Sequence, residues 1–416
     1  MVWIASLIVS AWLLLKLVYW FQVKEYRWDR LWSWLRYNEG LREILRLNLR
    51  QPVWTARARN ISLTAVGGYM VFGSLWGPVA AGVGMVVGIG VGTAWTRILV
   101  EKAEQEDGRK AAEILARYRP KVVGVIGSFG KSSSRQFVSQ ILATKYRVVS
   151  TQGNENTFLG IARRIIKDVD EKTEVLIVEM GAYKKGEIAK ICELVKPEVA
   201  WVTGIGSQHV DLFGGMENLK KAKFEVVEGL KPGGVAVFDG GDEGSRELVK
   251  WAKKRGIKTE IYETKVGRAE RDGFELGGVW VPLRGKHFAV NVMGAITVAK
   301  IMGVEWSEIK KVVGKLAQPE KSLVIQQTRG GVTMIDDSYN TNEQGFMAAV
   351  DYLRLWEGKK YVVSPGIIEL GREIPAVQRR LREKLKEIDG AWISRYGGIE
   401  KVVRAGDTIL KKHSAL

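Results

Sequence analysis

A mostly parallel α/β sheet preceded by membrane-spanning helices is the fold class that this 416-residue sequence predicts. Three features predict it. The first hundred residues hold two long apolar runs; from about Arg109 short β-rich runs alternate with charged helical patterns; and one of those runs ends in a glycine turn carrying a lysine. The length and the 46% hydrophobic content suffice for two or three domains with buried cores. A single cysteine, Cys192, rules out an internal disulfide and a cysteine-built metal site, and only three histidines argue against histidine-rich metal chemistry.

Residues 2–22, VWIASLIVSAWLLLKLVYWFQ, are interrupted only by Lys16 and have the length a helix needs to cross the hydrocarbon core. No positive stretch precedes them and no small-residue cleavage site follows. Trp3, Trp12, Tyr19 and Trp20 suit a retained anchor with interfacial aromatics. The uncharged run 61–96 is too long for one span and contains GSLWGP at 73–78, which predicts a hairpin of two short spans at 61–76 and 78–99. Gly84, Gly88 and Gly92 recur at four-residue spacing, the pattern that lets membrane helices approach closely. The intervening segment 23–60 carries Lys24, Arg27, Arg30, Arg36, Arg42, Arg46, Arg50, Arg57 and Arg59 against four acids, so the positive-inside rule places it, and everything after Arg97, in the cytoplasm. Trp28, Leu31, Trp32 and Leu35 fall at helical spacing opposite the basic residues, which lays this loop on the anionic inner leaflet. The formal net charge of +18 therefore points to a membrane surface and not to nucleic acid, because the aromatics of the basic loop sit between apolar spans. A buried soluble hairpin is the alternative for 61–100, although a glycine-rich uncharged run of this length has few soluble uses.

Beyond the anchor, KVVGVI (121–126), EVLIVEM (174–180), EVAWVTGI (198–205) and GGVAVFDG (233–240) read as strands separated by helices. GSFGKS, residues 127–132, follows the first of them. A Walker A loop requires a glycine five positions before its Gly-Lys pair, and that position is Val125. The stretch still predicts a strand, a glycine turn and a helix starting near Ser132, whose backbone N–H groups and dipole face an anion. Lys131 adds a mobile charge for terminal phosphates and Ser132 a hydroxyl for Mg²⁺; in isolation a glycine turn with a solvent-facing lysine is the alternative.

Five segments together carry a family resemblance. GSFGKS resembles the short phosphate loop of the Mur ligases, the ATP-dependent amide-forming enzymes of peptidoglycan synthesis. TQGNENTFLG (151–160) is similar to that family's Thr-x-Gly-Asn-x-Asn segment, and IVEMGAYKKGEI (177–188) to the Glu-x-Gly-Ala…Gly-Glu-Ile motif of the D-alanyl-D-alanine-adding type. VTGIGSQHVDLFGGMENLKKAKFEV (202–226) resembles the stretch with that type's histidine and Ala-Lys-x-Glu, and IDDSYNTN (335–342) its Asp-Asp-Ser-Tyr-Asn-Ala-Asn-Pro signature. The similarity covers roughly residues 110–416.

The resemblance implies a ligase that turns a carboxylate into an acyl phosphate with Mg·ATP and lets an amine attack it. It implies ATP contacts from Gly127, Ser128, Phe129, Gly130, Lys131, Ser132 and Ser133, with Asn291 near the adenine and Asp337, Tyr339 and Asn340 on the ribose and adenine side. Mg²⁺ ligands are expected at Ser132, Glu179 and His209, catalytic roles at Lys131, His209 and Lys223, and substrate contacts at Asn154 and Asn156. Lys223 matches a lysine that the family often carbamylates; as a residue it also reads as one of several helical lysines beside Lys220 and Lys221. The expected division is an anchor at 1–108, a central ATP-binding domain at 109–325 and a shortened C-terminal domain at 326–416.

Four departures stand beside this. A membrane segment occupies the place of the family's UDP-binding domain; Lys321-Ser322 replaces a Gly-Arg pair whose arginine contacts ATP; Gly204 follows Thr203 where asparagine is frequent; and the C-terminal region is short. The incoming amine is expected to be an amino acid or dipeptide, D-alanyl-D-alanine foremost, and the acceptor a cell-wall precursor that is either soluble and UDP-linked or lipid-linked. A ligase for another amine and acceptor, and a non-catalytic nucleotide-binding scaffold, are the alternatives.

Overall fold

The computed structural model describes residues 2–23, 26, 28, 31–32, 35, 52–206, 210, 212–329, 331–337, 342–364, 367, 374–386, 388–392 and 408–411. His209, Tyr339 and Asn340 lie outside the described residues, as does most of the basic loop 23–60. The chain divides into two compact units, 1–107 and 108–415.

The first unit is helical: α1 (Val2–Val23), α2 (Ala56–Trp76) and α3 (Pro78–Tyr118), whose last turns belong to the second unit. Gly77, at φ 86°, ends α2 and turns the chain into Pro78, so the hairpin falls where GSLWGP predicts it. The spaced glycines mark the seam between α2 and α3. A Cβ on Gly84 would lie 2.2 Å from Gly68 O, and one on Gly88 would lie 2.2 Å from Thr64 O, so only glycine permits this approach. Among the described residues two helices, α1 and α3, are long and apolar enough, by length and composition, to cross a membrane. The expected span at 61–76 is not among them, because α2 mixes Arg57, Arg59, Asn60, Ser62 and Thr64 into its apolar sequence. The helix that contains the expected span 78–99 runs on for nineteen further residues, since EKAEQEDGRKAAEILARY (101–118) is rich in helix formers and holds no proline.

The second unit is built on a six-stranded, wholly parallel sheet of order β2-β3-β1-β4-β5-β6, with β1 (Lys121–Ile126), β2 (Val148–Ser150), β3 (Val175–Glu179), β4 (Val199–Val202), β5 (Val235–Asp239) and β6 (Lys258–Tyr262). Both faces are covered, as near-continuous apolar strands require. Val123, Val125, Ile177, Trp201 and Val237 pack towards α4 (Lys131–Leu142) and a later helix, α9 (Phe288–Ile301). Their neighbours Val122, Ile126, Val178, Ala200 and Phe238 pack towards α5 (Phe158–Asp168), α6 (Glu187–Val195) and α7 (Met216–Glu228). The alternation by one residue is the period of a strand.

After β5 come α8 (Glu243–Lys254), β6 and a small antiparallel sheet, β7 (Val266–Ala269), β8 (Phe274–Leu276) and β9 (Val279–Val281); α10 (Trp306–Val313) follows α9. A five-stranded sheet of order β10-β11-β14-β12-β13 completes the unit, from β10 (Val324–Gln327), β11 (Thr333–Asp336), β12 (Lys360–Val363), β13 (Gly390–Trp392) and β14 (Thr408–Lys411), with α11 (Glu343–Leu353) and α12 (Ile374–Leu385). One apolar cluster runs from Val123 and Phe137 through Val292 to Ile335, Phe346 and Leu410, so both sheets share a core.

Close packing gives a test. A Cβ on Gly294 of α9 would fall 2.2 Å from Cζ2 of Trp201, which is wholly buried on β4. Gly294→Ala is expected to destabilise the second unit by about 1–3 kcal/mol through overpacking. A urea midpoint unchanged from the wild type would contradict this packing.

Candidate active site

In a parallel sheet every strand delivers its C-terminal end to the same edge, and the loops that follow gather there. β1 lies directly beside β3 with Val125 opposite Glu179, so the turn after Ile126 meets the carboxylate that ends β3. The turn itself is fixed from several sides. Ser128 N–H donates to Gly204 O at 2.8 Å and Ser128 Oγ to Gly206 O at 3.0 Å. Thr203 Oγ1 donates to Phe129 O at 2.5 Å, and a Cβ on Gly127 would lie 2.1 Å from Thr203 Oγ1. Gly130 sits in the left-handed region at φ 75° and hands the chain to α4, whose first residue is Lys131.

Lys131 Nζ donates to Gly127 O at 2.9 Å, which folds its charge over the mouth of the turn. Ser132 Oγ donates to Glu179 Oε1 at 3.1 Å, and Arg135 Nε to Glu179 Oε2 at 3.1 Å. Glu179 is only 3% exposed. A hydroxyl and a carboxylate oxygen side by side form the all-oxygen donor set that Mg²⁺ prefers, so these two residues fit the metal that the resemblance implies. Among the described residues no cluster of three or more His, Cys, Asp or Glu side chains forms, and the expected third ligand, His209, lies outside them.

Two lysines share the site. Lys223, on α7, is 4% exposed; burial, together with the nearby charge of Lys131, pushes its amine down to about 7. Burial also lowers Lys131, partly offset by the Glu179 carboxylate. The solvated-helix reading of Lys223 is therefore incorrect: the side chain points inward, unlike Lys221, which is half exposed on the same helix. Two residues on, Glu225 accepts Gly186 N–H at 2.7 Å and Ala189 N–H at 3.0 Å, capping α6 from the side.

Asn291 spends its amide on the back of the turn, donating to Gly130 O at 3.3 Å and Ser134 Oγ at 2.9 Å. Ser133 is partly exposed on the first turn of α4. Asn154 is exposed, while the backbone carbonyl of Asn156 accepts Gly181 N–H at 2.8 Å and brings the 151–157 loop beside the end of β3. Asp337 is buried after β11, where Ser322 Oγ donates to its Oδ1 at 3.1 Å and Leu323 N–H at 3.3 Å. The serine that replaces the expected arginine thus faces the signature aspartate. Gly204 also acquires a reason: a Cβ there would meet the Phe129 ring at 2.3 Å, so a bulky loop residue and a glycine at 204 are a matched pair. Sequence reasoning missed Thr203, Glu225 and Arg135. Glu225 closes the Ala-Lys-x-Glu motif without a role having been read for it, and Arg135 follows Ser132 by three positions and so shares its face of the helix.

Residues 125–299 match the family model described as the Mur ligase middle domain. A UDP-N-acetylmuramoyl-tripeptide--D-alanyl-D-alanine ligase of Bacillus subtilis is 30% identical over 284 residues, 66% of this chain and 62% of that one. The protein of the same name in Escherichia coli is 27% identical over 326 residues, 74% and 70% of the two chains. This chain therefore spans less than two thirds of the length of the Bacillus subtilis relative. Among solved structures, MurF of Acinetobacter baumannii superposes with a TM-score of 0.67 at 22% identity, covering 75% of this chain and 77% of that one. MurF of Thermotoga maritima, solved in complex with ADP, gives 0.63 at 24% identity over 75% and 80%. Both likenesses concern the fold. Residues 125–299 are therefore matched to the Mur ligase middle domain, and over 66% of its length the chain is similar to a D-alanyl-D-alanine-adding ligase.

Proposed function

We propose that this protein is an ATP- and Mg²⁺-dependent amide ligase that adds D-alanyl-D-alanine to a peptidoglycan precursor at the cytoplasmic face of a membrane. The observation that carries the proposal is the meeting of Lys131, Ser132 and Glu179 at one turn, within a middle domain similar to those of D-alanyl-D-alanine-adding ligases. A carboxylate oxygen is a poor leaving group. Attack of that oxygen on the γ-phosphorus of ATP releases ADP and leaves an acyl phosphate; the amine then attacks the carbonyl carbon and inorganic phosphate departs. The turn supplies backbone donors and the Lys131 ammonium for the phosphates, and Ser132 and Glu179 supply the oxygens for Mg²⁺, which neutralises phosphate charge when bound. In this reading Asn154 and Asn156, on the loop beside Gly181, receive the precursor, and Asp337 serves the nucleotide from the second sheet.

Membrane attachment is part of the same reading. The helices of the first unit turn Leu7, Ile8, Leu63, Met70, Val71, Val79, Val83 and Val91 outward, a surface that water disfavours and lipid accepts. Anchoring raises the effective concentration of a lipid-linked acceptor, so that substrate is preferred over the soluble UDP-linked one.

Lys223 enters as a carbamate: its neutral amine adds to carbon dioxide, forming an N–C bond and releasing one proton, so that a buried neutral amine becomes an anion. An amine held near 7 is available for this at neutral pH, whereas a lysine at its ordinary 10.5 is not.

Two measurements test the reading. Phosphate release from Mg·ATP by the detergent-purified chain is expected only with D-alanyl-D-alanine and a precursor together, faster with the lipid-linked form, and roughly 100-fold slower in Lys131→Ala; release that ignores both substrates would refute a ligase. For Lys223, below about pH 7 both folded and unfolded states carry the proton, and between there and about 10.5 only the unfolded state does. Stability of the bicarbonate-free protein is therefore expected to rise with pH across that window, and Lys223→Met to flatten the rise. Equal slopes in urea unfolding would remove the buried-amine argument.

A further inference from the structure

Arg135 stands one helical turn beyond Ser132 on α4, and its guanidinium is spent on the ends of two neighbouring strands. Nε donates to Glu179 Oε2 at 3.1 Å, and Nη1 reaches Ser150 Oγ at 3.4 Å and the carbonyl of Thr151. Thr151 is itself anchored: its N–H donates to Ile177 O at 3.1 Å, and its Oγ1 accepts the N–H of Glu179 at 2.9 Å. The pair is withdrawn from water, with 15% of the Arg135 side chain and 4% of the Glu179 side chain exposed. Glu179 is thus held at its backbone by Thr151 and at one carboxylate oxygen by Arg135, while its other oxygen faces Ser132.

We propose that Arg135 is a positioning residue for the metal carboxylate: it occupies Glu179 Oε2 so that Oε1 alone, beside Ser132 Oγ, is offered to the divalent cation of Mg·nucleotide. The inference rests on the reading above that Ser132 and Glu179 receive Mg²⁺. Its physical ground is coordination geometry. Mg²⁺ demands a near-octahedral shell of short, single-oxygen contacts, and a freely turning carboxylate can present both oxygens or neither. A planar fork tied to the chain at Thr151 removes that freedom, which a point charge does less well.

Electrostatics alone predicts the opposite sign, which makes the proposal testable. If Arg135 were only a neighbouring positive charge, removing it would tighten cation binding; if it aims the ligand, removing it weakens binding. ADP binding to the full-length protein in detergent is measured by calorimetry across a Mg²⁺ titration. In Arg135→Gln the Mg²⁺ concentration for half-maximal ADP binding is expected to rise about 10-fold, with metal-free ADP affinity unchanged within about 2-fold, and Arg135→Lys to fall between. A half-saturating Mg²⁺ concentration that stays the same or drops in Arg135→Gln overturns the proposal. Should Arg135→Gln lack a cooperative thermal transition, Arg135→Lys alone decides, an unshifted Mg²⁺ requirement overturning it. ADP binding by the wild type with no Mg²⁺ dependence would remove the metal reading itself, and is distinguished by needing no variant.

Discussion

The register between β1 and β3, with Val125 opposite Glu179, is the constraint on which the site depends. Parallel strands alternate sides with a period of two, so a slip of one residue would turn Glu179 into the sheet's other face and bring the wrong backbone against the turn. What fixes the register is mostly apolar. Val123, Val125 and Ile177 are buried against α4 and α9, and Val122, Ile126 and Val178 against the opposite layer. The site's polar geometry is therefore held by groups that take no part in it.

Charge within the site leans towards the positive. Two buried or half-buried lysines, Lys131 and Lys223, face one buried carboxylate that Arg135 already pairs. An unpaired cation away from water is costly, and the lowered proton affinity of Lys223 is how that cost appears. A site with surplus positive charge and donors around a glycine turn is prepared for a polyanion.

Much of this was legible in the sequence, and the failures have physical reasons. Four of the six strands of the first sheet stand out as apolar runs because they are buried on both faces. β2 has only three residues, and β6 is an edge strand with charges at Lys258 and Glu260, so neither presents such a run. Lys131, Ser132 and Glu179 came from motifs, and their contact is what a shared sheet edge requires. Arg135 shows in the sequence only as a neighbour of Ser132 on one helix face, since its role depends on β2 and β3 ending side by side. The long extension of α3 was missed because hydropathy marks where an apolar run stops and is silent on where the helix does.

Glu225 ties two distant pieces of chain together. On α7 it follows Lys223 by two residues, and through Gly186 and Ala189 it also seats the start of α6, immediately after the 181–186 turn. Lys223 and that turn therefore share one lever. Because Glu225 holds backbone N–H groups, a displacement of the turn is transmitted to the helix that carries the buried lysine, whatever side chains the turn bears.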